Sequence, residues 1–253
     1  MRTQIAAANW KMNLSLEQGQ QLLTSILSKV TTVKEGHAVI FAVPAPYLQA
    51  ARQIVGDRAN VFVSAQNIYS KLSGAYTGET SVEMLKSLDI HHTLIGHSER
   101  REYFGESNQF LADKVNIALE NGVTPIFCLG EPLEVRESGN QNDFVAAQLE
   151  GSLFHLNAEQ ITQVIVAYEP IWAIGTGRTA SSEQAEEIQA FLRAQLAAKY
   201  GQQVADKISI LYGGSVKAAN ANELFSQANI DGGLVGGASL VADEFVAIID
   251  ALN

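Results

Sequence analysis

The stretch Val166-Ala167-Tyr168-Glu169-Pro170-Ile171-Trp172-Ala173-Ile174-Gly175-Thr176-Gly177-Arg178 decides how the chain is read. With the residues before it, Gln163-Val164-Ile165-Val166-Ala167-Tyr168 forms an apolar, β-branched run of the length a buried strand needs. One acid, Glu169, stands at the strand's C-terminal end, where a side chain can face a cavity. Pro170 stops the strand and fixes its own φ. Four mostly apolar residues, Ile171, Trp172, Ala173 and Ile174, lead to Gly175-Thr176-Gly177, whose glycines reach backbone angles that other residues avoid. An apolar segment between a proline and a glycine pair can close as a lid over a site. A carboxylate beneath such a lid is a candidate general base, because desolvation favours the uncharged acid. The stretch also fits a solvent-facing glutamate in an ordinary strand-to-helix loop, so alone it does not choose.

Outward from this strand, the chain repeats one theme. Apolar strands are expected at Gln4 to Asn9, Ala38 to Val43, Val61 to Ala65, His92 to Ile95, Val123 to Leu129, Gln163 to Tyr168, Ile208 to Tyr212 and Gly233 to Val235. Helical patterns separate them: Leu16 to Val30, a short one through Ile54, Ser81 to Leu88, Leu111 to Leu119, Asp143 to Phe154, Ser182 to Tyr200, Ala219 to Phe225 and Glu244 to Leu252. Alternation of this kind demands a parallel sheet, because each helix must carry the chain back for the next strand. Eight units in 253 residues have the size and count of an α/β chain folded as a (β/α)8 barrel, with one domain over residues 1–253. An open doubly wound sheet is the competitor.

Composition narrows the function. Hydrophobic residues make up 47% and charged residues 17%, as in ordinary globular proteins. A net charge of −10 argues against a nucleic-acid partner, and an anion could bind only where local donors overrule the global field. No run approaches a membrane span and no signal-like segment opens the chain, which points to the cytoplasm. Cys128, the single cysteine, excludes an intrachain disulfide and reads as a small buried hydrophobe. No His/Cys/carboxylate cluster has metal-ligand spacing, so no metal and no cofactor is expected. Gly175 to Ala180 fits G-x-G-x-x-A, but it does not directly follow the strand and no acid stands at the expected ribose position.

In a barrel the strand ends converge on one face, where chemistry sits. Asn9 and Lys11 follow the first strand, and Gly96-His97-Ser98-Glu99-Arg100-Arg101 the fourth. Glu169 follows the sixth, Gly213-Gly214-Ser215 the seventh and Gly236-Gly237 the eighth. Lys11 could be a surface lysine, but it sits between Trp10 and Met12 at the mouth of an apolar strand. His97 could be structural, but a helical turn starting beside it would keep its ring neutral. The glycine pairs could be tight turns, yet after the seventh and eighth strands they match the usual phosphate site of barrels.

These residues carry a resemblance. Asn9-Trp10-Lys11-Met12-Asn13, Gly96 to Arg101, Ala167 to Gly177, Tyr212-Gly213-Gly214-Ser215-Val216 and Leu234-Val235-Gly236-Gly237-Ala238-Ser239 make the chain resemble the triosephosphate isomerase family along essentially its whole length. Ile171 stands where valine is commoner and Arg178 where lysine is. The resemblance implies interconversion of dihydroxyacetone phosphate and D-glyceraldehyde 3-phosphate through an enediolate. Glu169 looks like the base and His97 like the neutral electrophile. Lys11 and Asn9 look like the oxyanion donors, and Glu99 like the acid that pairs with the lysine. Gly175, Ser215, Gly236 and Gly237 resemble the phosphate-gripping backbone, Leu234 an apolar clamp, and Pro170 to Gly177 the lid. A homodimer is implied too, with the long loop Gln66 to Glu79 reaching into the partner through Tyr76, Thr77, Gly78 and Glu79. Its Ile68, Tyr69, Leu72 and Tyr76 are more apolar side chains than a loop meeting only water would carry, and folding back over its own barrel is the alternative to a partner. Rival readings are another phosphosugar barrel enzyme, such as an epimerase or a Schiff-base aldolase using Lys11, and a non-catalytic barrel.

Overall fold

In the computed structural model, residues 2–174 and 180–253 are described. Eight parallel strands close a barrel in sequence order: β1 Gln4–Asn9, β2 His37–Val43, β3 Val61–Ala65, β4 His92–Ile95, β5 Thr124–Leu129, β6 Ile165–Tyr168, β7 Ile210–Tyr212 and β8 Gly232–Val235. Pairing of Ala8 with Val235 joins the last strand to the first. The chain is thus a (β/α)8 barrel, and the open sheet is excluded.

Strand parity sorts the core into two shells, since successive side chains point to opposite faces. Ile5 and Ala7 of β1, Leu94 of β4, Cys128 of β5, Ala167 of β6, Leu211 of β7 and Leu234 of β8 fill the barrel interior. Their neighbours Ala6, Ala8, Phe127, Val166, Tyr168, Ile210 and Val235 pack outward against the helices. The interior set, extended past the strand ends, reaches Asn9 and Glu169. Parity alone therefore aims both at the barrel axis.

The helices begin where local chemistry allows. Ser15 and Ser181 each cap a helix in a reciprocal box, with Gln18 and Gln184. The long helix Ser182–Tyr200 has the expected limits. Three strands start later than the apolar runs, β5 by one residue because the Val123 N–H goes to Ala118 O, β6 and β7 by two. Gln163 and Val164 give their N–H groups to a preceding turn, at Gln160 O and Ile161 O. The Ile208 carbonyl is taken by Arg193 Nη1 at 2.9 Å. Short helices at Ser98–Tyr103, Leu133–Glu137, Ala158–Ile161 and Gln202–Ala205 add to the regular alternation. Among the described residues no helix is long and apolar enough to cross a membrane.

His92, which opens β4, stacks on Phe62 with ring centroids 4.7 Å apart. Burial pushes its pKa down to about 4, and no partner meets its buried Nδ1. The unfolded chain, with an ordinary imidazole near 6.5, binds that proton more readily. The stabilisation from the neutral ring is complete above about pH 6.5 and is lost as pH falls towards 4, with about 2 kcal/mol gone by pH 5. Urea unfolding of His92→Gln beside the wild type between pH 7 and 4.5 checks this. The variant's stability should fall less steeply, and parallel curves would refute the assignment.

Candidate active site

The strand ends meet in a cavity of about 800 Å³ lined by Asn9, Lys11, His97, Glu169, Ser215, Leu234, Gly236 and Gly237, with Ala173 and Ile174 at its rim. That is ample for a small metabolite.

Glu169 is 1% exposed. A buried carboxylate needs partners, and it has two: His97 Nε2 lies 2.8 Å from Oε1, and the Ser98 N–H donates to Oε2 at 2.9 Å. Two glycines make room for it. A Cβ on Gly130 would sit 1.7 Å from the Glu169 carbonyl oxygen, and one on Gly213 would lie 3.0 Å from Glu169 Cγ. The Gly130 amide is itself held by Gln148 Oε1 at 2.9 Å.

His97 is brought inward by Gly96, whose φ of +76° turns the chain at the end of β4. It sits at the N-cap of the helix Ser98–Tyr103, and its Nδ1 accepts the Glu99 N–H at 3.3 Å. That acceptor role leaves the ring proton on Nε2, facing Glu169. Burial pushes the imidazole pKa down, but the Glu169 carboxylate, with help from Glu99, outweighs it and the net direction is up. The expectation of a neutral ring is therefore tied to this contact: separating the carboxylate leaves burial dominant and the neutral form favoured.

Lys11 follows β1 with a left-handed φ of +52°, strained for a side chain of its size. Three bonds fix it. Asn9 Oδ1 accepts the Lys11 N–H at 3.0 Å, Gln66 Nε2 donates to the Lys11 carbonyl at 2.9 Å, and Lys11 Nζ meets Glu99 Oε1 at 2.8 Å. Gln66 also reaches the Ala42 carbonyl at 3.2 Å. Sequence reasoning passed over Gln66, because an amide at the start of a loop carries no pattern.

The lid's first residues are described. Pro170 φ is −67°, and Ile171–Ala173 form a 3-10 turn. Glu131, fully buried, anchors them by accepting from Trp172 Nε1 at 2.8 Å and from Tyr168 Oη at 3.0 Å. Arg136 lies over the Trp172 ring at 5.7 Å. Neither Gly130 nor Glu131 was singled out, although Gly130-Glu131-Pro132 stands at the end of a strand. Gly175, Thr176 and Gly177, expected in the phosphate grip and the lid, lie outside the described residues.

On the opposite wall, Ser215, Gly236 and Gly237 line the cavity beside Leu234. A Cβ at Gly236 would come within 3.7 Å of Lys11 Cε. The bare backbone after β8 and the ammonium after β1 are therefore neighbours. The loop residues Tyr76, Thr77 and Gly78 lie exposed, away from this cavity, with Glu79 half-buried.

A carboxylate, an imidazole and an ammonium gathered at the C-terminal mouth of a closed parallel barrel mark a (β/α)8-barrel enzyme. The chain belongs to the triosephosphate isomerase family, whose model matches residues 4–252. It is 53% identical over 249 residues to the triosephosphate isomerase of Cytophaga hutchinsonii, covering 98% of each chain. It is 50% identical over 253 residues to that of Bacteroides fragilis, covering all of both, and 48% identical over 251 residues to that of Porphyromonas gingivalis.

The Gly130 contact is testable. Gly130→Ala must push the Glu169 carbonyl aside, with overpacking of backbone against backbone costing about 2 kcal/mol or more. Thermal unfolding of the variant measures it, and an unchanged melting temperature would mean that these strand ends are not in contact.

Proposed function

We propose that the chain interconverts dihydroxyacetone phosphate and D-glyceraldehyde 3-phosphate through an enediolate, as a step of glycolysis and gluconeogenesis in the cytoplasm. The observation that carries the reading is the convergence of Glu169, His97 and Lys11 on one cavity within a chain of this family. One domain, residues 1–253, suffices. Glu169 is the base that moves a proton between carbons 1 and 2. His97, through the proton on Nε2, polarises the carbonyl, while Lys11 and Asn9 stabilise the oxyanion that develops. Glu99 holds Lys11 as a paired ammonium, which disfavours its use as a Schiff-base nucleophile. Proton transfer beside a carbonyl needs these parts, and the reading calls on no metal or cofactor.

With Glu169 on His97, the Nε2 proton is taken. A substrate carbonyl must replace the carboxylate there, and the exchange frees Glu169 to meet the carbon acid. It also removes the influence that raises the imidazole pKa, so a neutral electrophile results. Pro170, adjoining Glu169, couples this movement to the lid of residues 170–177. Ser215, Gly236 and Gly237, with Gly175 from the lid, grip the phosphate, and Leu234 packs beside the base. Binding energy from the phosphate thereby organises the reacting carbons. The closed lid excludes water from an enediolate that could otherwise eliminate phosphate.

An isomerase assay coupled to a dehydrogenase tests the activity directly. Glu169→Gln keeps the shape and loses the basicity, so turnover should fall by about 10²–10⁴-fold with substrate affinity largely kept. Turnover near the wild type would refute the role given to Glu169.

The working unit we infer is a homodimer. The structure corrects part of the motive: Ile68 is fully buried in its own barrel, and Tyr69 stacks on Tyr76 and Phe110. Leu72 and Tyr76, each 39% exposed, and Met12, 96% exposed beside Lys11, still present apolar surface to solvent. Thr77 stands among exposed residues, and in the dimer we infer it approaches the partner's cavity mouth. Tyr76→Asp with Thr77→Arg should give monomers with far lower turnover. Sedimentation and the isomerase assay on one sample decide, and a fully active monomer sinks the idea.

A further inference from the structure

Lys217 lines the same cavity and has no part in the proton transfer proposed for Glu169 and His97. It occupies the N-cap of the helix Ala218–Phe225, locally the wrong place for a cation. N-caps favour Ser, Thr, Asp and Asn, and a positive charge opposes the helix dipole. The capping work is done by other residues. Glu244 Oε2 accepts the Ala218 N–H at 3.2 Å, and Asn220 Oδ1 accepts the Lys217 N–H at 2.8 Å. The lysine is exposed and meets no carboxylate at ion-pair distance among the described residues.

Its charge matters because of what surrounds it. Lys11 and Lys217 are the lysines among the described lining residues, and Glu169 and Glu244 are the carboxylates. Lys11 is already matched by Glu99. Without Lys217 the described lining would face an incoming anion with net negative charge, inside a protein that carries −10 overall. A lysine where its own helix disfavours it, with no carboxylate at ion-pair distance among the described residues and lining the cavity with Ser215 and Gly236, has its use in the cavity.

We propose that Lys217 draws the phosphate end of the substrate into the cavity and so sets preference for phosphorylated over uncharged trioses. This rests on the isomerase reading above. A unit charge acting on a dianion across roughly 10 Å of water changes association about fourfold without salt, and after screening about threefold at 10 mM salt and about 1.5-fold at 150 mM.

The test measures kcat/KM for D-glyceraldehyde 3-phosphate at those two salt concentrations in the wild type, Lys217→Gln and Lys217→Arg. Lys217→Gln should lose about threefold at low salt and far less at high salt, with the loss in kcat/KM and not in kcat. Lys217→Arg should restore the value. Unphosphorylated D-glyceraldehyde should react equally with all three. An unchanged salt dependence, or an equal loss for the uncharged aldehyde, overturns the proposal. Inorganic phosphate titrated by calorimetry supplies an arm that needs no turnover, with about threefold weaker binding to Lys217→Gln expected at 10 mM salt. Equal phosphate binding overturns the proposal even if the isomerase reading itself fails. A wild type that binds phosphate but does not isomerise overturns only that reading.

Discussion

The contact of Glu169 Oε1 with His97 Nε2, at 2.8 Å, is the constraint on which the mouth of the barrel depends. A carboxylate taken out of water costs several kcal/mol unless charge and hydrogen bonds replace the hydration. Here an imidazole and a backbone N–H do so, and both come from the first turn after β4. The position of Glu169 is therefore set by a strand that does not neighbour its own. Only a closed barrel of this curvature brings the ends of β4 and β6 to the two sides of one carboxylate, with Gly130 after β5 leaving room for the backbone between them. Any ligand that claims His97 Nε2 must displace the Glu169 carboxylate, and so changes the surroundings of both groups at once.

A second network supports the strained Lys11. Gln66 grips the Lys11 carbonyl, and its neighbour Asn67 accepts from Lys114 Nζ at 2.7 Å. Lys114 is buried and also meets Glu106 Oε1 at 2.7 Å, which Arg100 Nε reaches at 2.7 Å as well. Burial lowers the Lys114 pKa, and Glu106 opposes that shift. Breaking such a cluster by removing one partner is costly, because the remaining charge stays buried. The start of the long loop is thus held by the Lys114 cluster, and its first residue holds the Lys11 backbone. A loop rooted in this way, with Ile68 buried in the core, can carry exposed apolar groups further along without loosening its start.

What the sequence disclosed follows from which physical signals are local. Buried parallel strands read as apolar runs whatever their neighbours, so all eight were visible, and the residues just past them could be tested as a set. Asn9, Lys11, His97 and Glu169 were found by that route. Gly130 was not, because its need for a bare Cα arises from Glu169 across the β5–β6 pair, where Leu129 aligns with Tyr168. No residue near it in sequence reports that pairing. Glu131 was missed for a related reason: an acid after a strand looks solvated until Trp172 and Tyr168 arrive to bond it. The starts of β6 and β7 were placed too early, where a turn and Arg193 take backbone groups that the apolar pattern assigns to the ladder.

The glycines separate packing from chemistry. At Gly214 a Cβ would lie 2.2 Å from Tyr212 Oη and 2.9 Å from Pro170 Cγ, so this position must be bare for the fold alone. Gly236 and Gly237 are different. Neither has a left-handed φ, and among the described residues a Cβ at Gly236 would make only an ordinary contact with Lys11 while one at Gly237 would meet nothing within 4 Å. Glycine costs conformational entropy wherever it is not required by the backbone. Both line the cavity that Lys11 also faces and put no side chain into it. In a protein with net charge −10, an anion needs local donors that outweigh the overall field, and the bare backbone of Gly236 next to Lys11 Cε offers a place for them.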